Sequence, residues 1–244
     1  MEDGSNPGPR LLTIWSELAP ACDPVAMTTE VTTASVPSAA GAASVSPRSG
    51  GYAKGRATRE EILDAAMQLF GEVGYHTASL REVASRVGIS HPGLLHHFAS
   101  KAALLEAVLT RRDEIDEALF AADVAAGHDY FDSMSLLVER NAARPGIVEL
   151  FATLSAEATS PDHPAHAYFQ DRYRRVLALT ATEFERWRDR GRLRPGIDPL
   201  TAARLTVSAM DGMQIQWLLA ADTPDSRPDM AAALRAQFTA LLTD

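Results

Sequence analysis

From residue 58 onward, apolar residues recur three and four positions apart, and Gly or Pro interrupts them at roughly one-helix intervals. No window alternates with period two, so the pattern predicts an all-α fold. The first stripe runs through Ile62, Ala65, Ala66, Leu69, Phe70 and Val73. Thr58 and Glu61 have the spacing of a capping box before it, and Gly74 supplies a stop after it. A second capping box, Ser79 with Glu82, precedes a short stripe of Val83, Ala84 and Val87, which Gly88 closes. Ile89 fills the turn, Ser90 caps a third helix, and Leu94 and Phe98 are its inward residues. Two short helices joined by a glycine turn make a helix-turn-helix. Pro92 suits the first turn of the third helix, where its missing N–H would have had no helical partner.

Further along, the same periodicity predicts helices at about 101–126, 130–143, 145–160, 163–191, 198–221 and 229–242, with Pro145, Pro161, Pro195 and Pro224 near the joints. Residues 1–50 are rich in Pro, Gly, Ser, Ala and Thr without periodicity and read as a disordered arm, within which Met27 offers an alternative start. The expected organisation is this arm, a three-helix helix-turn-helix domain over 56–115, and a C-terminal helical domain over 116–244.

Composition narrows the classes. The lone Cys22 makes no internal disulfide, and the apolar piece LLTIW is too short, and too soon followed by Glu17, to be a signal or membrane segment, so the expected location is the cytoplasm. No nucleophile with a neighbouring base, glycine-rich phosphate loop, metal-spaced cluster or paired carboxylates stands out, which argues against an enzyme and calls for no cofactor. Net charge is −9, unfavourable to nucleic acid on its face, but residues 51–112 hold eight Lys/Arg against six Asp/Glu and four of the seven histidines. Residues 113–244 hold 13 against 21. A weakly basic module thus sits beside an acidic one.

The stretch ISHPGLLHHFASK, residues 89–101, carries the most chemistry. As a metal site it is poor, because His91, His96 and His97 diverge on a helix. A solvated face is a second possibility, and a helix read by an outside partner is the third. The surrounding motif favours the last: residues 58–109, TREEILDAAMQLFGEVGYHTASLREVASRVGISHPGLLHHFASKAALLEAVL, resemble the DNA-binding domain of the tetracycline-repressor (TetR) family. That resemblance implies an all-helical homodimer on a pseudo-palindromic double-stranded DNA operator, with a C-terminal domain that binds a small-molecule effector and releases DNA. It further implies phosphate contact for Lys101, backbone or base contact for Ser79 and Arg81, and exposed recognition positions for His91, Gly93, His96 and His97. Lys54, Arg56 and Arg59 would form a backbone-contacting arm. Two departures stand against the family pattern: Ala78 replaces a usual Thr, and Leu95 a usual Tyr that often donates to phosphate. A helical ligand-binding dimer without DNA binding is the alternative that these departures keep open.

In the C-terminal domain, SPDHPAH reads as a loop entering a helix, with Asp162 and Pro164 suited to its N-terminus, rather than as a zinc site. The last two helices hold Leu205, Met210, Met213, Ile215, Trp217, Leu218, Leu219, Leu234, Phe238, Leu241 and Leu242, more apolar surface than one chain covers. The family pairs these helices in a dimer, and about half of the residues are expected in the chain's own core. Phe131, Met134, Phe151, Tyr168, Tyr173, Trp187, Met213, Gln214 and Trp217 are candidates to line an effector pocket, with plain packing as the competing account.

Overall fold

The computed structural model describes residues 49–220 and 226–243, with side chains from residue 55 onward. Among the described residues the regular structure is helical. α1 (Ser49–Thr77) is already helical nine residues before Thr58, so Thr58 caps nothing, and Arg56 and Arg59 lie on the helix instead of in an arm ahead of it. Gly74, at φ 77° and ψ 169°, interrupts α1 where the apolar stripe ends. The Ser79 hydroxyl then accepts the Glu82 N–H at 3.1 Å and caps α2 (Leu80–Val87). Gly88 closes that helix at φ 73°, a left-handed conformation that other residues adopt at a cost. Ser90 accepts the Gly93 N–H at 3.1 Å and caps α3 (His91–His97), with Pro92 in its first turn. Ser100 repeats the device on the Ala103 N–H to start α4 (Lys101–Ala125).

Five helices follow: α5 (Tyr130–Ala142), α6 (Pro145–Glu157), α7 (His166–Asp189), α8 (Pro199–Leu219) and α9 (Met230–Leu241). Asp129, Asp198 and Asp229 cap α5, α8 and α9 through side-chain oxygens. α7 starts later than the periodicity suggests and takes no cap from Asp162; His163 Nδ1 accepts the Ala165 N–H at 3.1 Å in that loop. α6 lies along α1, α7 against α8, and α9 against α5 and α8.

One apolar cluster holds α1 to α4 together through Ile62, Leu69, Phe70, Val83, Leu94 and Leu104, and continues into α6 through Leu150, Phe151 and Leu154. Gly71 makes the α1–α6 approach possible, since a Cβ there would stand 3.0 Å from the Leu150 nitrogen. Thr153 donates to the Gly71 carbonyl at 3.1 Å across the same contact. The expected 115/116 domain joint falls inside continuous α4. The arm over residues 1–48, with Met27 and Cys22, lies outside the described residues. No described helix is long and apolar enough to cross a membrane.

Candidate nucleic-acid interface and effector cavity

α3 buries Leu94 beneath it and leaves Pro92, Leu95 and His96 exposed, with His91, Gly93 and His97 half-buried. Ser79 and Arg81 are exposed at the start of α2, and Arg81 makes no ion pair among the described residues. Arg86, by contrast, is bound to Glu72 at 2.6 Å and Glu82 at 3.1 Å. The His96 and His97 rings stand 6.3 Å apart at 81°, pointing to different sides. No described group of three or more His, Cys, Asp or Glu is arranged to hold a metal. Gly93 gives the Ser90 cap its room, because a Cβ would come within 3.1 Å of the Ser90 hydroxyl. Of the two departures, Ala78 is buried and Leu95 is 39% exposed.

Lys101 has a second occupation. Its ammonium donates to the His76 carbonyl at 3.0 Å and lies 4.5 Å from the Tyr75 ring centroid. Burial pulls its pKa down, and Glu157 pulls it back up. Of its three N–H donors, one is used inside the protein.

The nine candidate pocket residues do not share one cavity. Phe131 and Trp187 pack with Phe184 and Phe238 in an aromatic cluster, and Met134 is buried. Phe151 is pressed by two guanidiniums, Arg112 at 4.2 Å and Arg172 at 4.5 Å from its centroid. Tyr168 donates to Asp113 at 2.9 Å, and burial pushes its hydroxyl up to about 12. Tyr173 donates to Asp211 at 2.8 Å, and Trp217 stacks with Arg227 at 3.8 Å. Only Met213 and Gln214 reach a cavity of about 210 Å³ among α5, α8 and α9, which Val138, Asn141, Met210, Met230, Leu234 and Gln237 also line.

Gln237 Oε1 is buried with no hydrogen-bond partner among the described residues. Sequence reasoning passed over Gln237 and Asn141, although both carry a readable signal. Each is an amide on an otherwise apolar helical stripe: Met230, Leu234, Gln237, Leu241 on α9, and Met134, Val138, Asn141 on α5. A polar group at such a position needs a partner.

Asn141 also connects the cavity to α4. Its Oδ1 accepts from Arg144 at 3.2 Å, and Arg144 reaches Asp116 of α4 at 3.5 Å. The neighbouring Arg140 is ion-paired with Asp123 of α4.

Known proteins share the helix-turn-helix and the helical fold. The profile of bacterial regulatory proteins of the tetR family matches residues 62–108, covering most of α1, all of α2 and α3, and the start of α4. The chain is 28% identical over 190 residues to the HTH-type transcriptional regulator UidR of Escherichia coli, covering 76% of this chain and 93% of UidR. Residues 62–108 carry the DNA-binding domain of the TetR family. A solved structure reported as the molecular basis for control of antibiotic production by bacterial hormones is 27% identical, with a TM-score of 0.58 over 77% of this chain and 98% of that one. SmeT, the repressor of the Stenotrophomonas maltophilia multidrug efflux pump SmeDEF, shares the fold, at 23% identity and a TM-score of 0.57 over 78% of this chain and 93% of SmeT. The TetR-family assignment makes the protein a DNA-binding transcriptional regulator with a C-terminal effector-binding domain, and not an enzyme.

Proposed function

We propose that the protein is a cytoplasmic homodimeric repressor that holds a pseudo-palindromic operator through α2 and α3, and that a compact, mainly apolar, neutral effector releases it. The observation that carries this reading is the outward face of α3, where His91, Gly93 and His96 stand beside Ser79 and Arg81, and among the described residues the His91 and His96 rings have no partner outside the His96–His97 pair. His91 and His96 would read base edges, while Ser79, Arg81, His97 and the remaining donors of Lys101 would hold phosphates. Exposed Leu95, having no hydroxyl to donate, suits a thymine methyl group.

Pairing is supported by α8, where Leu205, Ile215 and Leu219 are 51%, 52% and 83% exposed on one stripe. Gly212 lies on the same stripe with open space where its Cβ would be, so a second helix could approach closely. Trp217, Leu234, Phe238 and Leu241 serve the chain's own core. Two-fold pairing would set the recognition helices about 34 Å apart, one turn of DNA.

The effector would occupy the cavity of about 210 Å³. This is below the roughly 300–1,000 Å³ of drug-sized sites, so the ligand is small or the cavity widens around it. Asn141, Gln214 and Gln237 are its polar lining, with no charged side chain, and the orphan Oε1 of Gln237 calls for a donor on the ligand. Widening at Asn141 would pull on α4 through Arg144–Asp116 and Arg140–Asp123. Tilting α4 would carry the paired α3 helices out of register with successive grooves. The ligand acts only by its different affinity for the two spacings.

Genome-fragment selection with the purified protein, followed by binding to the enriched DNA over a salt series, tests this. A palindromic site with a steep salt slope is expected. No enrichment even at low salt would instead leave a helical ligand-binding dimer without an operator.

A further inference from the structure

We propose that Glu157, the last residue of α6, is a positioning residue for DNA binding: it fixes the angle at which α2 and α3 leave the end of α1. This extends the operator reading above to a residue of the C-terminal domain that need not touch DNA.

The geometry is specific. α1 breaks at Gly74, and the break directs the chain toward α2. Tyr75 provides the N–H that follows the break, and Glu157 Oε2 accepts it at 2.8 Å. The other carboxylate oxygen occupies the place of a side chain on Gly74, since a Cβ there would lie 2.2 Å from Oε1. Gly74 is therefore required twice, for its positive φ and for the seat it leaves to the carboxylate.

A carboxylate at the C-terminal end of a helix meets the negative end of the helix dipole, which ordinarily disfavours it. Here two groups offset that. Lys101, the first residue of α4, grips the His76 carbonyl and lies against the Tyr75 ring. His163, its side chain fully buried, places Nε2 3.5 Å from Glu157 Oε2 and its ring edge-on to Tyr75 and His76. Because His163 Nδ1 accepts the Ala165 N–H, the neutral ring carries its proton on Nε2, toward the carboxylate. Tyr75 and His76, which precede the recognition helices in the chain, are thus clasped between the end of α6 and the start of α4, which both follow them. A shift of α6 moves Glu157 and frees the angle.

The test uses the duplex that the wild-type protein selects, with wild type, Glu157→Ala and Glu157→Gln compared over a salt series. Charge alone predicts that removing a carboxylate strengthens the hold on phosphates, equally for both variants. Positioning predicts the opposite ranking: Glu157→Ala binds at least about tenfold more weakly, while Glu157→Gln, whose amide oxygen still accepts from Tyr75, stays within about threefold of wild type. Both keep the wild-type salt slope, since no phosphate-neutralising cation is lost. Two variants that bind as tightly as wild type or tighter would overturn the proposal. So would a Gln variant as weak as the Ala variant, with an equal fall in melting temperature. Amide hydrogen exchange on the free protein gives a readout independent of DNA. Exchange at Tyr75 and through residues 79–98 rises in Glu157→Ala and not in Glu157→Gln; unchanged protection in Glu157→Ala overturns the proposal. If no duplex is selected, the operator reading falls, and the exchange experiment still decides whether Glu157 holds the angle.

Discussion

The recognition unit and the seam between α4 and α7 satisfy their polar groups in opposite ways. Around α2 and α3 the capping bonds span three residues, as in Ser79 to Glu82 and Ser90 to Gly93, and lie at the surface above a hydrocarbon core of Val83, Ala84 and Leu94. In the seam, charged groups from distant segments are buried together. Asp113 accepts from Tyr168, 55 residues away, and from Arg172, 59 residues away, and also pairs with buried Arg112. Burial, followed by the charge of Arg112, pulls Arg172 below the usual guanidinium range. A part built from local bonds can present a surface to an outside partner without internal rearrangement. A part built from buried long-range pairs resists small shifts and gives way in discrete steps, which suits a domain that must change state.

The contrast can be broken most sharply at Asp113. Asp113→Ala would leave half-buried Arg172 without its carboxylate and buried Arg112 with Asp116 alone, and urea unfolding should register a loss of about 3 kcal/mol. A loss under about 1 kcal/mol would mean that the seam is wetter than its geometry indicates. Removing a local bond costs less: Ser90→Ala should lower stability by about 1 kcal/mol. It should also weaken operator binding, because the uncapped end belongs to the recognition helix. Arg86→Ala gives up an ion pair whose partners are 31% and 45% exposed, and solvent screening should hold its effect to about 1 kcal/mol or less. The last expectation concerns acid. Burial is the main cause that lowers the His163 pKa, opposed by Glu157 and reinforced by His76 and His166. The folded protein therefore resists a proton that the unfolded chain accepts near pH 6.5. Stability contributed there is complete above that value and is lost as pH falls through the window down to the lowered folded pKa. Unfolding free energies of wild type and His163→Asn across that window should show a shallower pH slope in the variant.

The same contrast explains what could be read from the sequence. The caps, the Gly74 and Gly88 breaks, and the helix joints near Pro145 and Pro195 all depend on residues close in the chain, and their spacing carried them. The start of α1 was missed because the Thr58–Glu61 spacing imitates a cap inside a helix that begins earlier. Glu157 could not be found by spacing, since Tyr75 is 82 residues away. Aromatic residue type alone does not mark the pocket, because the structure engages Phe151 with arginines and Tyr168 and Tyr173 with aspartates. The cavity shows instead in amides on apolar stripes, Asn141 and Gln237.

The most direct test of the central claim compares His96→Ala and Arg81→Ala on the selected duplex and on single-base variants of it. If α3 reads bases while the start of α2 holds the backbone, His96→Ala loses discrimination at one position of each half-site. Arg81→Ala weakens all sequences alike and lowers the salt slope by about one. If both variants bind every duplex as wild type does, the exposed face of α3 is not the surface that reads DNA.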